Sequence, residues 1–165
     1  PTILKGLTHG NLEQVGMLAI LPYVCAILGM FLFSSLSDAS GRRKLFVALP
    51  LAGFALCMAL SVLLQAHIWW SYAALVGCGF FIQSAAGVFW SIPPRLFNAE
   101  VAGGARGVIN ALGNLGGFCG PYMVGVLISL FNKDVGVYSL AASLAIASVL
   151  ALMLPNKCDH STRSE

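Results

Sequence analysis

Residues Phe89–Pro121 read FWSIPPRLFNAEVAGGARGVINALGNLGGFCGP, and this stretch decides the fold. Pro93-Pro94 closes one apolar segment, because proline lacks a backbone N–H and its ring clashes with the preceding turn. A short charged loop follows. The chain then enters a second apolar segment carrying Asn110 and Asn114 together with Gly107, Gly113, Gly116, Gly117 and Gly120. Glycine and asparagine are poor helix formers, so such a helix needs a use for them. The use it suggests is one wall of a solute pathway through a membrane.

Composition supports that setting. Of 165 residues, 58% are hydrophobic and 9% charged, against about 25% charged in soluble domains. A net charge of +3, scattered along the chain, gives no footprint for nucleic acid. The five cysteines, Cys25, Cys57, Cys78, Cys119 and Cys158, show no metal-binding or CxxC spacing, and four lie in apolar runs. They read as small packing residues, so no disulfide framework, metal or cofactor is expected. The opening PTILKGLTHG lacks the pattern of a cleavable signal peptide.

Crossing a bilayer takes roughly 20 apolar residues as a helix. Five runs qualify: Val15–Leu36, Leu45–Gln65, Trp70–Ile92, Ala102–Phe131 and Val135–Leu154. No strand-like alternation competes, and lipid demands internally satisfied backbones, so the expected fold is an all-α membrane bundle. Residues 1–155 form this bundle and residues 156–165 a polar tail. With the first run directed inward, Arg42, Arg43, Lys44, Arg95, Arg106, Lys157 and Arg163 are cytoplasmic and only Lys5 and Lys133 external. That asymmetry fixes the expected orientation, with a cytoplasmic C-terminus. Trp69, Trp70 and Tyr72 then sit at the outer interface. The external N-terminal segment, beginning PTIL, suggests that a preceding helix and more are missing.

Helical phase groups the polar residues. Gln83, Gly87, Trp90 and Pro94 share a face of the third run, with Ser84 and Ser91 on its flank. On the fourth run, Gly107, Asn110, Asn114, Gly117 and Pro121 share a face, and Gly113, Gly116 and Gly120 form a stripe for close helix approach. Gly16, Tyr23, Met30 and Ser34 align on the first. Amides and an indole N–H suit a hydroxylated or carboxylated solute. The competing explanation for Asn110 and Asn114 is hydrogen bonding between helices, and for Trp90 an interfacial belt. The second and fifth runs carry little polarity and read as outer, supporting helices. His9, His67 and His160 lie outside the runs and suggest neither metal nor catalysis.

The connector SSLSDASGRRK, Ser34–Lys44, resembles the loop of the major facilitator superfamily, Gly-x-x-x-Asp-x-x-Gly-Arg-Arg/Lys. Ser34 replaces the first glycine, as in the looser second-half copy. By this resemblance Asp38, Gly41, Arg42 and Arg43 form a conformational latch. FWSIPPRLF and NALGNLGGFCGPYMVG resemble the tenth and eleventh helices of the anion:cation symporter family, and the likeness covers the whole chain as helices eight to twelve. It implies a bacterial inner-membrane symporter that takes up an organic anion, such as a sugar acid, with protons. It further implies that Trp90 and Asn110 contact the solute. Gln83, Asn114 and Tyr23 follow as candidates from phase alone. The proton-coupling carboxylates and the anion-holding arginine belong, on this likeness, to a missing N-terminal bundle. Consistent with that, no Asp, Glu, Lys or Arg lies deep in any run.

Two alternatives remain. Gly116-x-x-x-Gly120-Pro121 partly matches a fifth-helix antiporter pattern, which would make these helices two to six of a multidrug efflux protein. The glycine stripes could instead belong to a membrane scaffold subunit. A membrane enzyme is disfavoured, since no nucleophile–base pair, metal cluster or phosphate loop appears.

Overall fold

The computed structural model describes residues 12–155 and residue 159. The expectations for Pro1–Gln14 fall almost wholly outside the described residues, as do those for the tail apart from Asp159. Among the described residues the chain is helical: α1 (Leu12–Ser40), α2 (Arg43–Leu63), α3 (Ile68–Ile82), α4 (Ser84–Phe89), α5 (Pro93–Leu96), α6 (Ala99–Leu130) and α7 (Lys133–Leu152). They provide five spans long and apolar enough to cross a membrane, with Ile68–Leu96 counted as one. The all-α, five-span expectation holds.

Two boundaries differ from the sequence reading by four residues, the others by three or fewer, and each of the two has a local reason. The first helix runs on to Ser40, because SSLSDAS continues the hydrogen-bond ladder and Gly41, at φ 69°, ends it. The Gly41 N–H donates to the Ser37 carbonyl at 2.9 Å, an αL cap that glycine adopts without strain. The third span is not one helix ending at the prolines but three pieces. Its first break falls at Gln83, where the Ser84 hydroxyl donates to the Phe80 carbonyl at 2.7 Å, a back-bond that bends helices. Its second break covers Trp90–Ile92. There Ser91 N–H and Ile92 N–H reach back three residues, to Val88 and Phe89, tightening the turn ahead of Pro93.

Small residues set the close crossings. A Cβ on Gly29 would collide with the Phe80 carbonyl oxygen and lie 2.5 Å from Ser84 Oγ, and one on Gly79 would lie 2.5 Å from the Pro22 carbonyl oxygen. These two glycines let α1 cross α3 nearly backbone to backbone. Pro22 deprives the Leu18 carbonyl of its in-helix donor, and the Tyr72 hydroxyl replaces it at 2.8 Å. Tyr72 is buried, so it is a packing residue and not the interfacial anchor that its position suggested.

The core brings together Val47 and Ala48 of α2, Val88 of α4, Ile92, and Ala151 of α7. Phe33 stacks edge-to-face with Phe46, Phe80 and Phe81 at centroid distances of 6.0–6.2 Å. The Ser148 hydroxyl donates across to the Ala48 carbonyl at 2.8 Å. So α2 and α7, expected to be outer supports, are packed into the centre. The peripheral element is α6, which has no buried residue; it joins the bundle through its C-terminal half, where Gly136 of α7 sits against Ile128 and Val124.

Candidate functional site

The junction of α1 and α2 is a bonded unit. Arg43 is buried, and its Nη2 pairs with Asp38 Oδ1 at 2.6 Å. Its Nη1 donates to Ser91 Oγ at 2.7 Å, and Ser91 Oγ–H donates on to the Val88 carbonyl at 2.6 Å. The loop is thereby fastened to the second break of the third span, one residue from Trp90. Arg42 is exposed and its backbone N–H lies 3.5 Å from Ser40 Oγ. The Lys44 backbone N–H and ammonium both meet the Asp159 carboxylate, at 3.0 and 3.5 Å, which places Asp159 at the same corner. Two buried polar atoms, Ser37 Oγ and Arg43 Nε, have no partner among the described residues.

Trp90 sits in the break itself. Its ring packs edge-to-face on Phe89 at 5.5 Å and is 38% exposed. Pro94 leaves the Trp90 carbonyl without its N–H donor, and Arg106 of α6 supplies Nη2 at 3.3 Å. This bond ties the third span to the fourth.

Asn110 and Asn114 are exposed on α6, and neither side chain has a hydrogen-bond partner among the described residues. A Cβ on Gly107, Gly113, Gly116, Gly117 or Gly120 would meet nothing within 4 Å. The close approach expected at Gly113, Gly116 and Gly120 is therefore not made among the described residues. Tyr23 is 75% exposed and Gln83 is exposed at the first break. The structure thus brings Trp90 and α6 together through Arg106, and Asp38 and Arg43 together with Ser91. It does not gather Tyr23, Gln83 and Asn114 into that group. Gly87 is exposed, but a Cβ there would lie 2.9 Å from Ser34 Oγ and 3.3 Å from Met30 Cγ, so α1 also approaches this position closely. In the sequence Arg106 and Ser91 are legible only as an inside charge and a flanking hydroxyl. The usable signal is Pro94, which announces an orphaned carbonyl four residues earlier.

No group of three or more His, Cys, Asp or Glu side chains that could hold a metal occurs among the described residues.

The sequence profile of the Major Facilitator Superfamily matches residues 1–164. The chain is 30% identical over 161 residues to a quinolone resistance transporter of Acinetobacter baumannii, covering 97% of this chain and 37% of that protein. It is 30% identical over 159 residues to a protein of Agrobacterium vitis named "Putative tartrate transporter", covering 93% and 34%. It is 25% identical over 151 residues to a probable galactarate/D-glucarate transporter of Escherichia coli, covering 87% and 34%. The chain thus spans about a third of the length of these relatives. No solved structure matches it.

Proposed function

The chain belongs to the Major Facilitator Superfamily, and from that membership we propose that the protein is a secondary active transporter that takes up an organic anion, a sugar acid, together with protons. The observation that carries this reading is the pair of amides, Asn110 and Asn114, without hydrogen-bond partners among the described residues on an exposed face of a spanning helix. An unsatisfied amide facing lipid costs several kcal/mol, so the face needs water, a solute or another helix. A hydroxylated acid matches the amides' donors and acceptors. The names of the tartrate and galactarate/D-glucarate relatives support the same solute class.

On this reading the chain is the C-terminal bundle, helices eight to twelve, of an anion:cation symporter in a bacterial inner membrane, with the arginine-rich connector and C-terminus cytoplasmic. Trp90 and Asn110 bind the solute, with Asn114, Gln83 and Tyr23 as further contacts. Asp38, Gly41, Arg42 and Arg43 form the inner latch. Transport proceeds by alternating rocking of two bundles about a midplane site, the second bundle contributing the proton-coupling carboxylates.

The test is uptake of labelled D-glucarate, D-galactarate and tartrate by cells expressing the parent protein, with and without a proton gradient, against Asn110→Ala. Gradient-dependent uptake of one acid, reduced roughly tenfold or more in the variant by loss of a polar contact, is the expected result. Uptake that survives Asn110→Ala returns that residue to helix packing. One observation favours a second reading, drug export: the quinolone resistance relative matches nearly the whole chain. Absence of acid uptake with accelerated quinolone efflux would establish it.

A further inference from the structure

We propose that Arg106 is an anion-recognising residue at the inner mouth of the pathway, holding the carboxylate of the solute whose hydroxyls meet Asn110. The proposal rests on the organic-anion reading above and adds to it a charged contact from this chain itself. α6 is one continuous helix from Ala99 to Leu130, so Arg106, Asn110 and Asn114, at successive i, i+4 positions, lie on one face. Successive members are separated by about 6 Å along the axis. A cation followed by two amides complements, in the same order, a carboxylate followed by the hydroxyls of a hydroxy acid.

Two further observations support the assignment. Arg106 makes no ion pair among the described residues, and its hydrogen bond there is the one to the Trp90 carbonyl at 3.3 Å. That bond occupies one of about five guanidinium N–H groups, leaving a fork for bidentate capture of a carboxylate. It also seats the guanidinium at residue 90, so that this side chain links the two spans carrying the residues expected to contact the solute. Arg106 is exposed, and a single carbonyl at 3.3 Å does not neutralise its charge. The other basic groups near this corner are committed or placed elsewhere. Arg43 is paired with Asp38 and Ser91 and Lys44 with Asp159, while Arg42 and Arg95 belong to a connector and to α5, off the face that carries Asn110.

The experiment measures D-glucarate, D-galactarate and tartrate uptake into proteoliposomes containing the full-length parent protein, as wild type, Arg106→Gln and Arg106→Lys. Thermal unfolding of each is followed in detergent. A charge-assisted bond lost to the transported acid raises KM about ten- to a hundredfold, with kcat within about twofold. Lysine keeps the charge but not the fork, so KM rises in the order wild type, Arg106→Lys, Arg106→Gln. An unchanged KM in Arg106→Gln, with normal wild-type uptake, overturns the proposal and leaves the transport reading standing. A fall in kcat and unfolding temperature that lysine does not rescue also overturns it, making the Trp90 bond purely structural. Failure of the wild type to carry any of the three acids overturns the organic-anion reading and this role with it.

Discussion

The bond between Tyr72 and Leu18 shows how one residue's chemistry dictates another's position. Pro22 sits in the middle of α1 and removes the N–H that would have met the Leu18 carbonyl. In water the solvent would supply a donor; in a bilayer only protein can, and the Tyr72 hydroxyl does so at 2.8 Å. Hydrogen bonds between membrane helices contribute about 0.6–2 kcal/mol. Tyr72→Phe is therefore expected to lower stability by about 1 kcal/mol, read as a shift in the thermal midpoint of the parent protein in detergent. The coupling is more diagnostic than the size. In a Pro22→Ala background the N–H restored at that position satisfies Leu18 from within the helix, so Tyr72→Phe should then cost less. Additive effects in this double-mutant cycle would show that the hydroxyl is not compensating for the proline.

Between elements, glycine has two opposite roles that the sequence alone does not separate. Gly29 and Gly116 are both glycines in apolar helices at positions suited to close packing. A Cβ on Gly29 collides with the backbone of α3, whereas one on Gly116 meets nothing within 4 Å. Gly29→Ala should thus destabilise by about 1–3 kcal/mol through overpacking. Gly116→Ala adds a methyl in open space and gains up to about 1 kcal/mol of helix propensity. Thermal midpoints of the two variants of the parent protein should move in opposite directions, and a fall with Gly116→Ala would mean that another helix lies on α6. The five spans and the turn at Gly41 are legible in the sequence because apolar length and a required positive φ are local properties. The packing order of the spans is not. In a soluble helix an apolar stripe marks the core, but lipid is as apolar as a protein interior, so Leu, Val and Phe occupy inner and outer faces alike. That is why α2 and α7, with little polarity, read as outer helices when Ala48, Ala151 and Ser148 place them at the centre. The breaks at Gln83 and Trp90 escape for a different reason. They arise from a serine back-bond and from tight turns ahead of a proline, both of which leave hydropathy unchanged.

Across the whole molecule, and on the transport reading proposed above, the faces of α6 decide which side borders the solute's route. Asn110 and Asn114 lie about 40° apart around the helix, and Cys119 lies about 180° from Asn110, at roughly 100° per residue. Cys119 is a free, exposed thiol, so both faces are open among the described residues and exposure alone does not rank them. Chemistry does. A face holding two amides and an arginine is wetted at far lower cost than one presenting Leu112 and Leu115. In the full-length parent protein with all other cysteines replaced by serine, Asn110→Cys and Asn114→Cys, each combined with Cys119→Ser, should react with a water-soluble maleimide. Saturating D-glucarate should slow the Asn110→Cys reaction several-fold. With Asn110 and Asn114 intact, Cys119 should react only with a membrane-permeant reagent, since it then faces lipid or another helix. Fast aqueous labelling of Cys119 with none at positions 110 and 114 would turn α6 by half a revolution. It would make the asparagines a helix-packing pair, and the route through this bundle would have to be sought along the opposite face.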